Sequence, residues 1–112
     1  MKQQDLVWVN MPFSNLAGSK IRPSIIVSNN NYNKASQDVV VCAVTSNLEE
    51  REFSITIDND NLSQGSLPIK SKVRADKVMQ VEKKLILNSF AKLNDKTYDE
   101  LAEKIKNLIA RK

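Results

Sequence analysis

Six apolar residues run unbroken from Val39 to Val44, held between the polar Asp38 and Thr45, and four of the six are valine. So short and β-branched a run is a buried strand rather than a helix, and Asp38–Thr45 is the firmest element the sequence offers. Asp5–Val9 and Ser24–Ser28 are built alike, β-branched or aromatic and bounded by turn formers. Glu52–Ile57 alternates with a period of two, the pattern of a half-buried strand. Gly65–Arg74 is expected to supply a turn, an edge segment and a further strand, with Pro68 on the edge segment. Helical periodicity is clear only near the C-terminus. There Asn94 or Thr97 can cap, Thr97 and Glu100 stand at capping-box spacing, and Leu101, Ile105, Leu108 and Ile109 share one face. The expected fold is mainly β with a C-terminal helix, in one domain over residues 1–112.

The connections are less regular. Asn10–Arg22 is expected to be a loop, with Pro23 at the start of the next strand because it lacks a backbone N–H. The asparagine-rich Ser28–Asn33 also reads as a loop. Asp58–Asn61 has some likeness to a calcium-binding run but lacks the Gly and Glu such a loop requires. Lys77–Phe90 mixes its apolar positions, so that a strand near Met79 and either a short helix or a strand near Leu85 fit it. Trp8 and Phe13 are expected in the core; an exposed Phe13 or Tyr32 would be able to stack on a nucleic-acid base.

Composition narrows the chemistry. Cys42 is the single cysteine, so no disulfide forms within the chain, and its place inside the Val39–Val44 run makes it a core residue. With no histidine, a histidine-based zinc site, a Ser-His-Asp triad and a Cys-His pair are excluded. Gly18 and Gly65 are the two glycines, too few for a P-loop or a dinucleotide fingerprint. Carboxylates do not gather as a two-metal site requires, so no metal or other cofactor is expected. No apolar stretch approaches a membrane span and Met1–Asp5 lacks a signal-peptide core, so a cytoplasmic location without membrane attachment is expected. The net charge is +4 and uneven: in residues 70–84 six cations (Lys70, Lys72, Arg74, Lys77, Lys83, Lys84) face two acids, Asp76 and Glu82. A local field of that sign attracts polyanions or an acidic protein.

Three short motifs remain to carry chemistry. Arg22 precedes Pro23, which restricts it to extended geometry and presents a guanidinium able to grip two phosphate oxygens. Thr45 and Ser46 end the central run, where hydroxyls cap backbone groups or reach a ligand. Arg74 and Asp76 are two residues apart, so on a strand they share a face, either as a structural ion pair or as partners at a substrate phosphate. Ser19, Lys20, Lys72 and Lys77 are the further candidates for substrate contact. RNA suits this inventory because its 2′-hydroxyl is its own nucleophile, which leaves the protein to clamp charge and move protons.

The stretch Met11-Pro12-Phe13-Ser14-Asn15-Leu16-Ala17-Gly18-Ser19-Lys20-Ile21-Arg22-Pro23 resembles the signature loop of the PemK/MazF-like toxins, in their PemK-like branch. Val44-Thr45-Ser46 is similar to that family's strand end, and Gly65–Asp76 to its segment ending in Val-Arg-x-Asp. The resemblance implies an SH3-like barrel of the PemK/CcdB type, a homodimer, and a metal-independent endoribonuclease acting on single-stranded RNA. It also implies an acidic antitoxin protein as partner. Carried over, it makes Arg22 the transition-state clamp and possible proton carrier, Thr45 a phosphate-contacting hydroxyl, and Arg74 with Asp76 a supporting pair. The glutamate that many relatives carry in the signature loop is missing here, with Leu16 or Ala17 near its place. The alternative is a barrel without catalysis that binds a protein or nucleic-acid target, as gyrase-inhibiting members of the fold do; the joint presence of Arg22, Thr45, Arg74 and Asp76 favours the nuclease.

Overall fold

The computed structural model describes residues 1–12 and 18–112. The expectation for Phe13, and residues 13–17 of the signature stretch, lie outside the described residues. Seven strands form one antiparallel sheet in the order β4-β6-β3-β2-β1-β7-β5. They are β1 (Asp5–Pro12), β2 (Ser19–Ile26), β3 (Asp38–Thr45), β4 (Ser54–Ile57), β5 (Leu62–Gly65), β6 (Ser71–Glu82) and β7 (Ile86–Leu93). Two helices accompany the sheet, α1 (Asn30–Ala35) and α2 (Asp95–Ile109). The mainly β architecture with its C-terminal helix matches the sequence-based expectation.

Period-two alternation sends β1 and β3 side chains to opposite faces of the sheet, and each face builds its own apolar cluster. Leu6, Ile25, Cys42, Ile57, Val73 and Leu93 pack on one face with Leu101 from α2. Val7, Val9, Ile26, Val39, Val41 and Val81 pack on the other, with Met11, Met79, Leu85 and Ile86 against them. This explains the unbroken apolar run of β3, which is covered on both sides.

Asn94 proves to be the cap of α2: its side chain accepts from the backbone N–H of Thr97 at 2.8 Å. Thr97 is buried inside the first turn, and its hydroxyl accepts from the Asn61 side chain. Leu101 is fully buried and Ile105 half-buried, whereas Leu108 and Ile109 are exposed, so only the first part of the apolar face packs. At the sheet edge, Gly65 has a φ of +75°, and a Cβ there would collide with the Phe90 carbonyl oxygen. Glycine thus lets β5 lie close against β7.

Four expectations are corrected. The asparagine tract is not simply a loop, because Asn29 caps α1 by accepting from Tyr32 N–H, and the buried Asn33 donates to the Ser28 carbonyl. Asparagine serves a helix start as readily as a turn. Trp8 is half-buried instead of in the core, stacked on Phe90 with ring centroids 4.6 Å apart. Pro23 lies inside β2 and not at its start, since Ser19–Arg22 already pair with β1. Asn10–Arg22, expected to be a loop, instead holds the end of β1 up to Pro12 and the start of β2 from Ser19; Lys77–Phe90, by contrast, resolves within the alternatives the sequence left open, β6 running to Glu82, a 3₁₀ turn spanning Lys83–Leu85 and β7 beginning at Ile86.

Cys42 is fully buried, as expected. Burial, reinforced by the negative charge of Asp76, pushes its thiol from 9.0 up to about 12. A raised value favours the folded state while the thiol stays protonated. That contribution is complete below pH 9.0 and is lost as pH rises towards about 12. Iodoacetamide at pH 8 is therefore expected to leave the native thiol unmodified and to label it fully once denaturant unfolds the chain; rapid labelling of the native protein would contradict this burial.

Candidate functional site

The site lies where the sheet comes apart. β2 pairs with β1 along Ser19–Ile25, but with β3 only at Ser24, Ile25 and Ile26. Pro23, which has no N–H to offer, stands where the ladder to β3 stops. On the far side of β3, Cys42 pairs with Val78 and Val44 with Val73, so that Ala43 alone faces the four residues Arg74–Lys77. This bulge bends β6 and re-aims its side chains, a common device beside ligand sites.

Between these departures lies a groove of about 490 Å³. Met11, Met79 and Ala43 give it an apolar lining, and Arg22, Thr45, Arg74 and Lys77 line it with polar groups. Its position follows from strand periodicity. Arg22 and Ser24 lie on the same side of β2 as Ile26, and Ala43 and Thr45 on the same side of β3 as Val41, so the groove continues the second cluster where that cluster meets solvent. Three cations line it without a carboxylate among the lining residues. A wider cleft of about 810 Å³ lies between α2 and the β4 region, but Glu52, Glu100 and Glu103 alternate there with Lys96 and Lys104. The cationic field is concentrated in the smaller groove.

Each polar group has a defined donor capacity. Arg22 is exposed and makes no ion pair among the described residues. Arg74 is gripped side-on by Asp76, its Nε donating to Oδ1 at 2.8 Å and its Nη2 to Oδ2 at 3.0 Å. That leaves Nη1 and one Nη2 hydrogen for another anion. The sequence left a structural pair and a substrate-directed pair open, and the geometry is compatible with both at once. Thr45 Oγ1 accepts from the Asn47 N–H at 3.1 Å, so its own hydrogen remains to donate to a ligand.

The bond from Arg74, with that residue's positive charge, holds the Asp76 carboxyl below its ordinary value and raises the guanidinium further. Asp76 is consequently a fixed anion at neutral pH, which excludes it as a proton donor there and makes it the group that orients Arg74. A lowered carboxyl value gives stability that is complete above 3.8 and lost as pH falls through the depressed folded value.

Lys77 joins the groove lining. Lys72 does not: it stands opposite Thr45 in the ladder and is only 5% exposed, enclosed in the sheet instead of offered to a phosphate. Ser19 and Lys20 are exposed on the singly paired part of β2, and Ser46 is exposed just beyond β3, all three outside the groove lining. Sequence reasoning missed Met11, Met79 and Ser24; the last stands two residues beyond Arg22 on the same strand face, a spacing able to reveal it.

The family model for the PemK-like, MazF-like toxins of type II toxin-antitoxin systems matches residues 2–109. The chain belongs to that family. No curated protein sequence matches it significantly. Among solved structures, the toxin chain is similar to that of the MazE-MazF complex of Deinococcus radiodurans, with a TM-score of 0.81, 22% identity, and coverage of 97% of this chain and 95% of that one. It is also similar to a mycobacterial endoribonuclease in complex with its cognate antitoxin, with a TM-score of 0.78, 16% identity, and coverage of 100% and 99%. The Mycobacterium tuberculosis toxin MazF-mt6 gives a TM-score of 0.71 and 19% identity over 90% of this chain and 93% of that one. At such identities these likenesses establish the fold shared with MazF toxins.

For the toxin chain, Asp76→Asn keeps the shape of the pair but removes the charge that fixes Arg74. Under the endoribonuclease function proposed below, cleavage of RNA is expected to fall about tenfold, as for a lost charge-assisted contact, with Tm changed by no more than a few degrees because the pair lies near the surface. Initial cleavage rates and a melting curve check both; unchanged cleavage would show that Asp76 does not orient Arg74 for the reaction.

Proposed function

We propose that this toxin is a metal-independent, sequence-selective endoribonuclease that cleaves single-stranded RNA through attack of the 2′-hydroxyl on the adjacent phosphate. The observation that carries the proposal is the groove itself, in which Arg22, Thr45, Arg74 and Lys77 meet over an apolar lining at the open end of the sheet. The family supports it, and two of its structural neighbours are an endoribonuclease and a MazF toxin.

In the proposed reaction the 2′-oxygen bonds to phosphorus as the bond to the 5′-oxygen breaks. The products are a 2′,3′-cyclic phosphate and a 5′-hydroxyl end, and the proton lost from the nucleophile balances the one gained by the leaving oxygen. Negative charge builds on the non-bridging oxygens. Arg22, exposed and without an ion pair among the described residues, offers its guanidinium to two of them. Thr45 donates its free hydrogen, and Arg74, aligned by Asp76, brings a second positive charge. Donors fixed in this way contribute roughly 10²–10³-fold each. Asp76 stays ionised, so it cannot supply the proton that the leaving 5′-oxygen gains, and that transfer is assigned to Arg22.

The same cationic groove suits the acidic segment of an antitoxin, which would block it by occupying the phosphate positions. The proposal extends to a homodimer, as the family resemblance implies. Purified protein incubated with long unstructured RNA in EDTA tests the activity: discrete fragments are expected, and intact RNA with a folded protein would leave a binding barrel as the better description.

A further inference from the structure

We propose that Ser24 is a further substrate-contacting residue, whose hydroxyl holds a phosphate oxygen of the bound RNA at the floor of the groove. The inference rests on the endoribonuclease assignment of that groove. Ser24 is fully buried, and its Oγ has no hydrogen-bond partner among the described residues. The residue is nevertheless one of those that line the groove, next to Pro23 and across the ladder from Ala43. A buried hydroxyl without a partner destabilises a fold, and alanine in its place removes that cost at nearly the same volume. Retaining a hydroxyl at such a point makes physical sense when its partner arrives with the ligand.

The placement identifies the partner's chemistry. Ser24 and Arg22 lie on one face of β2, about 7 Å apart along the strand, and Thr45 lies two residues beyond Ala43 on the neighbouring strand. The hydroxyl is therefore flanked by a guanidinium on one side and a donating hydroxyl on the other, with Arg74 and Lys77 also lining the groove. Donors and positive charges directed at one volume fit the oxygens of a phosphodiester, not a base edge, which presents donors as well as acceptors. Serine has a single heavy-atom torsion, so rotation between staggered positions turns Oγ from its covered position towards the groove without moving the strand.

Ser24→Ala tests this through two readouts that move in opposite directions. Cleavage of a long unstructured RNA is expected to fall about 10–100-fold in kcat/KM, the equivalent of one hydrogen bond to a charged oxygen. The loss should appear mainly in KM, since the phosphate is held before reaction as well as during it, while Tm rises because the unpaired hydroxyl is gone. A purely structural serine would leave KM unchanged. Wild-type cleavage with an equally active Ser24→Ala variant would overturn the role of Ser24 and leave the nuclease assignment standing. Absence of cleavage by the wild type would overturn both.

Discussion

Replacing Arg22 with alanine is expected to lower RNA cleavage by about 10²–10³-fold, the cost of removing one preorganised donor from a site that stabilises developing negative charge. Fold stability should barely change, because Arg22 is exposed and makes no ion pair among the described residues. Arg22→Lys should recover only part of the lost rate: an ammonium supplies the charge but not the planar fork that meets two oxygens together. Single-turnover rates on a fixed RNA substrate separate the variants. A variant Arg22→Ala that cleaves within threefold of the wild type would place the main clamp elsewhere, with Arg74 as the next candidate.

The second large effect concerns the fold. Leu101 is the fully buried apolar side chain of α2, packed into the cluster that contains Leu6, Ile25, Ile57 and Leu93. Leu101→Ala removes that anchor and leaves a cavity the rigid sheet cannot close, at a cost of about 3 kcal/mol. For a chain of this length the Tm should fall by about 10–15 °C. α2 contributes nothing to the groove lining, so cleavage measured well below the new Tm should persist. A thermal melt and an activity assay on the same sample check both halves. A change below about 1 kcal/mol would show that α2 is not held through Leu101.

The contrast between what was legible in the sequence and what was not follows from burial. β3 spans Asp38–Thr45 as read, since both its faces are covered and its apolar signal is continuous. The first half of β2 gave no such signal: Ser19, Lys20, Ile21 and Arg22 are all exposed and pair on one side only, so nothing in their hydrophobicity marks a strand. β5 is similarly obscure, an exposed edge of Leu-Ser-Gln-Gly fixed mainly by its fit against β7. The mixed pattern after Lys77 is the trace of a strand that bulges and then changes direction. At the site, the residue types of Arg22, Thr45, Arg74 and Lys77 were recognisable, but their meeting point depends on where two ladders separate, which hydrophobic periodicity does not encode. Lys72 was misjudged for a related reason, because a charged residue in a basic segment reads as surface until its strand is enclosed.

The central claim is that RNA supplies its own nucleophile in a groove of fixed cations. After the cleavage sites are mapped on a natural RNA, one oligonucleotide spanning a site should be made twice, once entirely ribose and once with a single 2′-deoxy nucleotide immediately 5′ of the scissile phosphate. With EDTA present, the all-ribose strand should be cut to a 5′-hydroxyl fragment and the substituted strand should remain whole at that position. Cutting at the 2′-deoxy position, or a requirement for added metal, would contradict the mechanism.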